Sequence, residues 1–321
     1  MRPCLLVTRR LPDTVEAHLA RVFDVTFNAT DVPLEPAALA AAMVQYDAIC
    51  PTITDRIDAE LLATPGRTVG IIANFGAGTD HIDLAAARDR KIVVTNTPDA
   101  LTDATADVAM LLMLMAMRRA GEGERELRAG RWDGWRPTHM MGQALAGKTL
   151  GLVGFGRIAQ AMAARAAAFG MTIRYFSRTR AERAIEQKLG AAYDETLEAL
   201  AGQVDILSLH LPGGAATRHL IDARILSAMK RGSVLINTAR GSVVDEAALA
   251  RALRDGHLAA AGLDVYEQEP KLTPALLKLE NIVLLPHLGS ATVETPTAMG
   301  LQAAANLEAH FAGLVPPNCV A

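Results

Sequence analysis

Apolar positions along the first third of the chain fall into short β-rich runs separated by longer amphipathic stretches. "CLLVT", "DVTFN", "YDAIC", "VGIIANF" and "KIVVTN" alternate with "TVEAHLARVF", "EPAALAAAMV", "DAELLATPG" and "DLAAARDR" between residue 4 and about residue 97. Strand and helix in strict alternation predict a parallel sheet with helices on both faces. Residues 103–130 read as two helices, with Asp103 as the N-cap of the first and Gly121 as the break between them. "RWDGWRPTHMMGQALAGK" is irregular and holds both tryptophans, Trp132 and Trp135. From Lys148 the alternation restarts, and "TLGLVGF", "TIRYF", "VDILSLHL", "SVLINT", "AAGLDV" and "NIVLLPH" predict strands. "ATVETPTAMGLQAAANLEAHFAG" predicts a closing helix of more than twenty residues, ahead of Pro316 and Pro317. Two successive blocks of this kind imply two α/β domains, and no short repeat or low-complexity tract interrupts them.

Composition narrows the function classes. A chain of 321 residues is long enough for two domains, each with its own core. Half of the residues are apolar, and the net charge of −3 comes from acids and bases mixed along the sequence, so neither nucleic acid nor an anionic membrane is an expected partner. The run Val108–Met117 is too short for the roughly eighteen apolar residues of a membrane span and reads as a buried helix. Cys4, Cys50 and Cys319 lie far apart, which favours reduced thiols of a cytoplasmic protein over disulfides. No cysteine or histidine spacing suggests a metal, and "MRPCLLVTRR" has no secretion-signal pattern.

The first candidate chemistry is a glycine cluster. "TLGLVGFGRIAQAMA" places Gly154, Gly156 and Ala159 between a strand and a helix. Gly154 suits the tight turn, Gly156 a close approach of pyrophosphate to the backbone, and Ala159 close helix–strand packing. Free N–H groups at the helix N-terminus then face the phosphates. Such a loop alone is weak evidence, because glycines there can serve packing and methyltransferases use similar loops. About twenty residues on, where an acid usually binds the ribose hydroxyls, the chain reads "RYFSRTR" and offers Ser177, Arg178 and Arg180 instead.

Three further motifs fall just past strand ends. Arg240 follows "SVLIN", Asp264, Glu267 and Glu269 follow "AAGL", and His287 follows "NIVLLP". Singly, each has an ordinary reading as an exposed arginine, surface acids or a loop histidine. Together, in a parallel sheet, they converge on the edge where doubly wound folds bind ligands.

With "GAGTDHID", "GKTLGLVGFGRIAQ", "MKRGSVLINTARGSVVDEAAL", "GLDVYEQEP" and "PHLGSAT" in fixed order, the chain resembles the D-isomer-specific 2-hydroxyacid dehydrogenases over essentially its whole length. Within that family it looks most like the glyoxylate and hydroxypyruvate reductases. The resemblance implies two doubly wound parallel-sheet domains flanking a cleft. The flavodoxin-like substrate domain would span residues 1–99, completed by 290–321, and the Rossmann-type NAD(P)-binding domain residues 100–289. A 2-keto acid needs a cation for its carboxylate, a proton donor and a hydride. Arg240 suits the first, and His287 the second. The resemblance makes Glu269, before Pro270, the acid that orients His287, with Glu267 as the competing choice. It also assigns Asp264 and the carbonyl near Ala239 to the nicotinamide, and the Ala77 and Gly78 amides to the substrate carboxylate, a use their glycine-flanked loop permits. Thr52 in "CPTIT" is a further substrate-binding candidate. The implied cofactor contacts extend to Thr105, Phe155, Arg157, Ile158, Leu211, Pro212, Thr217, Thr238 and Gly289. His81 is expected to cap or pack the helix that follows it.

Two features refine this picture. A carboxylate at Ser177 would repel the 2′-phosphate of NADP, whereas a small hydroxyl leaves room and Arg178, supported by Arg180, offers a partner. NADP(H) is therefore the expected cofactor, with NAD(H) possible. The segment "RWDGWRPTHMM" is either an arm reaching a second subunit of a homodimer, with Trp135 and Met140 in contact, or buried packing. The rival functions are a reductase of a bulkier 2-keto acid such as hydroxyphenylpyruvate, a non-enzymatic dinucleotide sensor or corepressor, and a hydrolase or methyltransferase on a related fold. The last gives the "PHLGSAT" histidine no role.

Overall fold

A computed structural model describes residues 2–321. The chain divides into two compact units, one running to Leu101 and taking in Ser290–Ala321, the other Thr102–Gly289.

In the first unit, strands β1 (Cys4–Val7), β2 (Asp24–Phe27), β3 (Ala48–Cys50), β4 (Ile71–Ala73) and β5 (Val93–Thr95) form a parallel sheet in the order β2-β1-β3-β4-β5. This is the flavodoxin-like order. The central strands "AIC" and "IIA" are buried on both faces, which is why they read as continuous apolar runs rather than alternating ones. Helices Asp13–Val22 and Glu294–Phe311 cover one face around Leu5, Val7, Val15, Leu19 and Leu307. Their approach depends on Gly300, where a Cβ would lie 2.5 Å from Val15 Cγ1. The closing helix has 18 residues, fewer than its composition suggested. Thr292 Oγ1 accepts a bond from the Thr295 N–H at 3.0 Å, so the preceding residues form a turn that starts the helix late.

In the second unit, seven parallel strands, β6 (Thr149–Val153), β7 (Thr172–Phe176), β8 (Ala191–Tyr193), β9 (Ile206–Leu209), β10 (Ser233–Asn237), β11 (Leu258–Leu263) and β12 (Ile282–Leu284), run β12-β11-β10-β9-β6-β7-β8. Strand order reverses between β6 and β9, the point at which doubly wound sheets open a ligand crevice at their C-terminal edge. The edge strand β8 was not anticipated, because three residues, "AAY", carry too short a pattern.

The two helices after residue 100 differ from expectation. The first begins at Thr102, so Asp103 lies inside its first turn and pairs with Arg165 at 2.9 Å instead of capping. The break falls at Arg119, with φ of 51°, and Gly121 sits within the second helix, Ala120–Arg128. The physical reason is a crossing segment: Gln143 N–H donates to the Met117 carbonyl at 2.8 Å and takes an acceptor from the helix end. Among the described residues, no helix is long and apolar enough to cross a membrane.

Candidate active site and dinucleotide crevice

The two cluster glycines do different work. Gly154 has φ of 85°, and a Cβ there would overlap the carbonyl of His210, just past β9. Backbone conformation and space both demand glycine. Gly156 is the N-cap of helix Arg157–Ala168, and a Cβ there would meet nothing within 4 Å. The protein itself leaves that position open, which fits a pyrophosphate on the helix N-terminus. Ala159 is fully buried, as close helix–sheet packing requires. The Phe155 ring is buried and stacked on Tyr175 with centroids 3.9 Å apart, so Phe155 offers a ligand mainly its backbone.

Past β7, Ser177 Oγ donates to the Thr179 carbonyl at 2.5 Å and stabilises the turn. Arg180 departs from its expected role. Its Nε and Nη2 donate to Glu186 at 2.8 and 2.9 Å, while Tyr175 Oη donates to the same carboxylate at 2.7 Å. Arg180 and then Tyr175 hold the Glu186 carboxyl down at about 2. The Arg180 charge is therefore already met, and the residue works as a strut for the turn.

Arg240 follows β10 on a loop clamped by Asn237. The Asn237 side chain accepts from Ala239 N–H and donates to the Arg240 carbonyl, each at 3.0 Å. Arg240 Nη1 in turn donates to the Ala239 carbonyl at 2.8 Å. A Cβ on Gly241 would overlap the Tyr266 carbonyl group, so the loops after β10 and β11 press directly together.

His287 stands on a left-handed backbone, φ 56°, just past β12. Such a conformation costs about 1–3 kcal/mol and persists only where neighbours impose it. Asp264 does so: its carbonyl accepts the His287 N–H at 2.9 Å, and its carboxylate accepts Leu288 N–H at 2.6 Å and Gly289 N–H at 2.8 Å. Thr105 Oγ1 holds the Gly289 carbonyl at 3.0 Å. Asp264 is 1% exposed, and burial raises its carboxyl against the opposing pull of those N–H groups and of His287. Its evident task is to shape the histidine loop, and only the remaining lone pairs are left for a carboxamide.

Of the two glutamates, Glu269 meets His287, with Oε2 2.8 Å from Nδ1, and its Oε1 accepts the Tyr266 N–H at 2.9 Å. Glu267 instead accepts from Arg218 and His219, both at 2.7 Å. The hydrogen bond to Glu269 raises the His287 pKa despite burial. Burial pushes the Glu269 carboxyl up, but the bonds from His287 and Tyr266 and the charges of His287 and Arg240 outweigh it and bring it down. An imidazole whose protonated form is favoured by a neighbouring carboxylate, with the Arg240 charge acting on both, is an arrangement able to protonate an oxyanion.

In the first unit, the loop after β4 has its carbonyls tied back. Asn74 Nδ2 donates to Gly76 and Gly78 carbonyls at 3.0 and 2.9 Å, and Asn96 Nδ2 to that of Ala77 at 2.8 Å. The Gly76 N–H is likewise bonded, to the Asn74 carbonyl at 3.0 Å, so the loop is held from both its donors and its acceptors. His81 Nε2 lies 3.0 Å from Asn74 Oδ1, while Asp83 caps the following helix. His81 therefore braces the loop and does not cap. Thr52 N–H donates to Asp55 at 2.8 Å, and its hydroxyl is 3.0 Å from that of Thr54.

Residues 110–289 match the model of the D-isomer specific 2-hydroxyacid dehydrogenase, NAD binding domain. The chain belongs to the D-isomer-specific 2-hydroxyacid dehydrogenase family. A glyoxylate reductase of Thermococcus litoralis is 43% identical over 100% of this chain and 97% of its own length. A putative D-isomer specific 2-hydroxyacid dehydrogenase from Polaromonas superposes with a TM-score of 0.92 at 40% identity, covering 100% of both chains. An NADPH-dependent glyoxylate/hydroxypyruvate reductase from Sinorhizobium meliloti, in complex with NADP and malonate, gives 0.89 at 40% identity over 100% of this chain and 97% of that one. As a 2-hydroxyacid dehydrogenase the protein is an oxidoreductase that binds a nicotinamide dinucleotide.

Four dehydrogenase features escaped the sequence: Asn237, Asn74 and Asn96, whose amides set loop shape, and Glu186. Each asparagine ends or follows a strand, a position at which an amide commonly bonds nearby backbone. In the aromatic segment Trp135 is 81% and Trp132 51% exposed, while His139 pairs with Glu126 at 3.0 Å and Met140 is half-buried.

Proposed function

We propose that this dehydrogenase reduces small 2-keto acids, glyoxylate and hydroxypyruvate, to glycolate and D-glycerate, with NADPH preferred over NADH. The observation that carries the reading is the Glu269–His287 contact at 2.8 Å, with Arg240 close enough to influence both. Arg240 binds the substrate carboxylate through its guanidinium fork and polarises the ketone. His287, whose protonated form Glu269 favours, gives its proton to the oxygen that becomes the hydroxyl, and takes it back in the reverse direction. The bound dinucleotide supplies the hydride. Its pyrophosphate belongs over Gly156, with Asp264, Thr105 and Gly289 maintaining the loop that carries His287. The Ala77 and Gly78 amides add carboxylate-binding capacity in the first unit, the substrate-binding domain in this reading.

The preference for NADPH rests on Ser177 in place of an acid, and on Arg178 beside it. The exposed Trp135 segment is the arm of a homodimer. Purified protein mixed with NADPH and each of glyoxylate, hydroxypyruvate and hydroxyphenylpyruvate tests the proposal through the loss of NADPH absorbance. The two small acids should give the higher kcat/KM. No consumption with any of the three would overturn it.

A further inference from the structure

Glu267, displaced from the histidine, is anchored on one side and grips a loop on the other. Its own N–H donates to Glu246 Oε1 at 2.8 Å, and Glu246, itself buried, accepts Thr273 Oγ1 at 2.5 Å. From that mount its Oε1 takes Arg218 Nη2 and His219 Nε2, both at 2.7 Å. Arg218 and His219 end the segment "LPGGAATRH", residues 211–219, which leads away from β9.

The start of that segment is set by topology. It begins next to His210, whose carbonyl lies against Gly154, and therefore borders the crevice where the strand order reverses. Its middle carries little support of its own. Gly213 and Gly214 stand in sequence, Gly214 with φ of 115°, and the internal bonds are those of Thr217 to the Pro212 and Gly214 carbonyls. At its far end His219 N–H donates to the Ser242 carbonyl at 2.8 Å, while the side chains of Arg218 and His219 rest on Glu267. A glycine-containing loop fixed at both ends costs a ligand less ordering entropy than one fixed at its start alone.

We propose that Glu267 is a positioning residue for the dinucleotide: by gripping Arg218 and His219 it holds residues 211–219 along the crevice and sets affinity for NADPH and NADH alike. This rests on the dinucleotide crevice at the β6–β9 reversal but not on the preference for NADPH. Glu267 touches neither His287 nor the turn carrying Ser177 and Arg178 through any of these contacts. Its effect therefore falls on cofactor binding, and not on the chemical step or on selectivity.

The test is titration calorimetry of NADPH and NADH against the whole protein and its Glu267→Gln variant, with kcat for glyoxylate at saturating cofactor. Losing a charge-assisted anchor should weaken both cofactors by about tenfold and leave kcat within about twofold. Unchanged affinity, weakening of NADPH alone, or a fall in kcat at unchanged affinity would each overturn it. An Arg218→Gln, His219→Gln double variant removes the same grip from the loop side. It should reproduce the weakening, and adding Glu267→Gln should weaken binding no further; full additivity would sink the proposal. If the unaltered protein bound neither cofactor, the fault would lie with the crevice assignment, not with Glu267.

Discussion

Glu269 holds His287 by Nδ1 at 2.8 Å, which leaves the opposite ring nitrogen, Nε2, as the one that would meet a substrate oxygen in the proposed reaction. In the proposed reaction the pair would set both the direction in which the proton leaves and the direction in which its availability shifts with pH. The His287 pKa is raised by the Glu269 bond. Reduction needs the protonated ring, so kcat/KM for glyoxylate should hold through neutral pH and fall as pH rises through the His287 pKa. In Glu269→Gln that falling limb should move to lower pH. The sign for stability is the same: the contribution from the raised histidine is complete below its unfolded value of about 6.5 and is lost as pH rises through the folded one. A pH–rate profile of both proteins checks the first claim, and denaturant midpoints across the same range the second.

Removing the ring is a harsher test. His287→Ala should lower reduction by roughly 10²–10⁴-fold or more while NADPH still binds, measured by turnover beside calorimetry. Unchanged turnover would remove His287 from the mechanism.

Cofactor choice is expected to depend on two neighbouring positions. Ser177→Asp should shift preference toward NADH, and Arg178→Ala should raise KM for NADPH far more than for NADH. Arg180→Ala should change the NADPH/NADH ratio less than Arg178→Ala, because Arg180 already spends its charge on Glu186. Steady-state KM values for both cofactors in the three variants decide it, and equal effects on both cofactors would refute the assignment.

Asp264 accepts two backbone N–H groups beneath the His287 loop. Asp264→Asn keeps the shape but turns an N–H₂ toward one of those donors, which should cost about 1–3 kcal/mol of stability. Turnover should fall with it. Thermal unfolding and kcat measured together are the check, and a loss of neither would leave the loop held by something else.

The two glycines of the cluster should separate fold from ligand. Gly154→Ala meets both a left-handed backbone and the His210 carbonyl, so it should lower the unfolding temperature. Gly156→Ala meets open space and should leave that temperature unchanged while weakening dinucleotide binding. Calorimetric binding beside a melting curve distinguishes the two.

Most strands were legible because buried parallel strands are nearly continuous apolar runs, as "IIA" and "SVLIN" are. The edge strand β8 was not, because three residues carry no period. Gly121 misled for a related reason: the helix end is bonded by Gln143, which is remote in sequence and leaves no mark near residue 119, while Asp103 is drawn into an ion pair with Arg165, equally remote. At the site, residue types and strand-end positions pointed to Arg240 and His287, and the family resemblance chose Glu269 over Glu267. Which nitrogen Glu269 holds, and that Arg180 is taken by Glu186, depends on side-chain geometry that spacing does not encode. The supporting asparagines were invisible because an amide that bonds backbone looks like any other loop asparagine until the loop is folded.

The division of labour between Gly154 and Gly156 also bears on descent. A lineage that kept this sheet but abandoned the nucleotide would still be bound to glycine at the first position, since a neighbouring strand occupies the space. The second would be free to drift. Among distant relatives, a side chain at the position of Gly156 beside an intact Gly154 would mark an inherited architecture from which the original chemistry has gone.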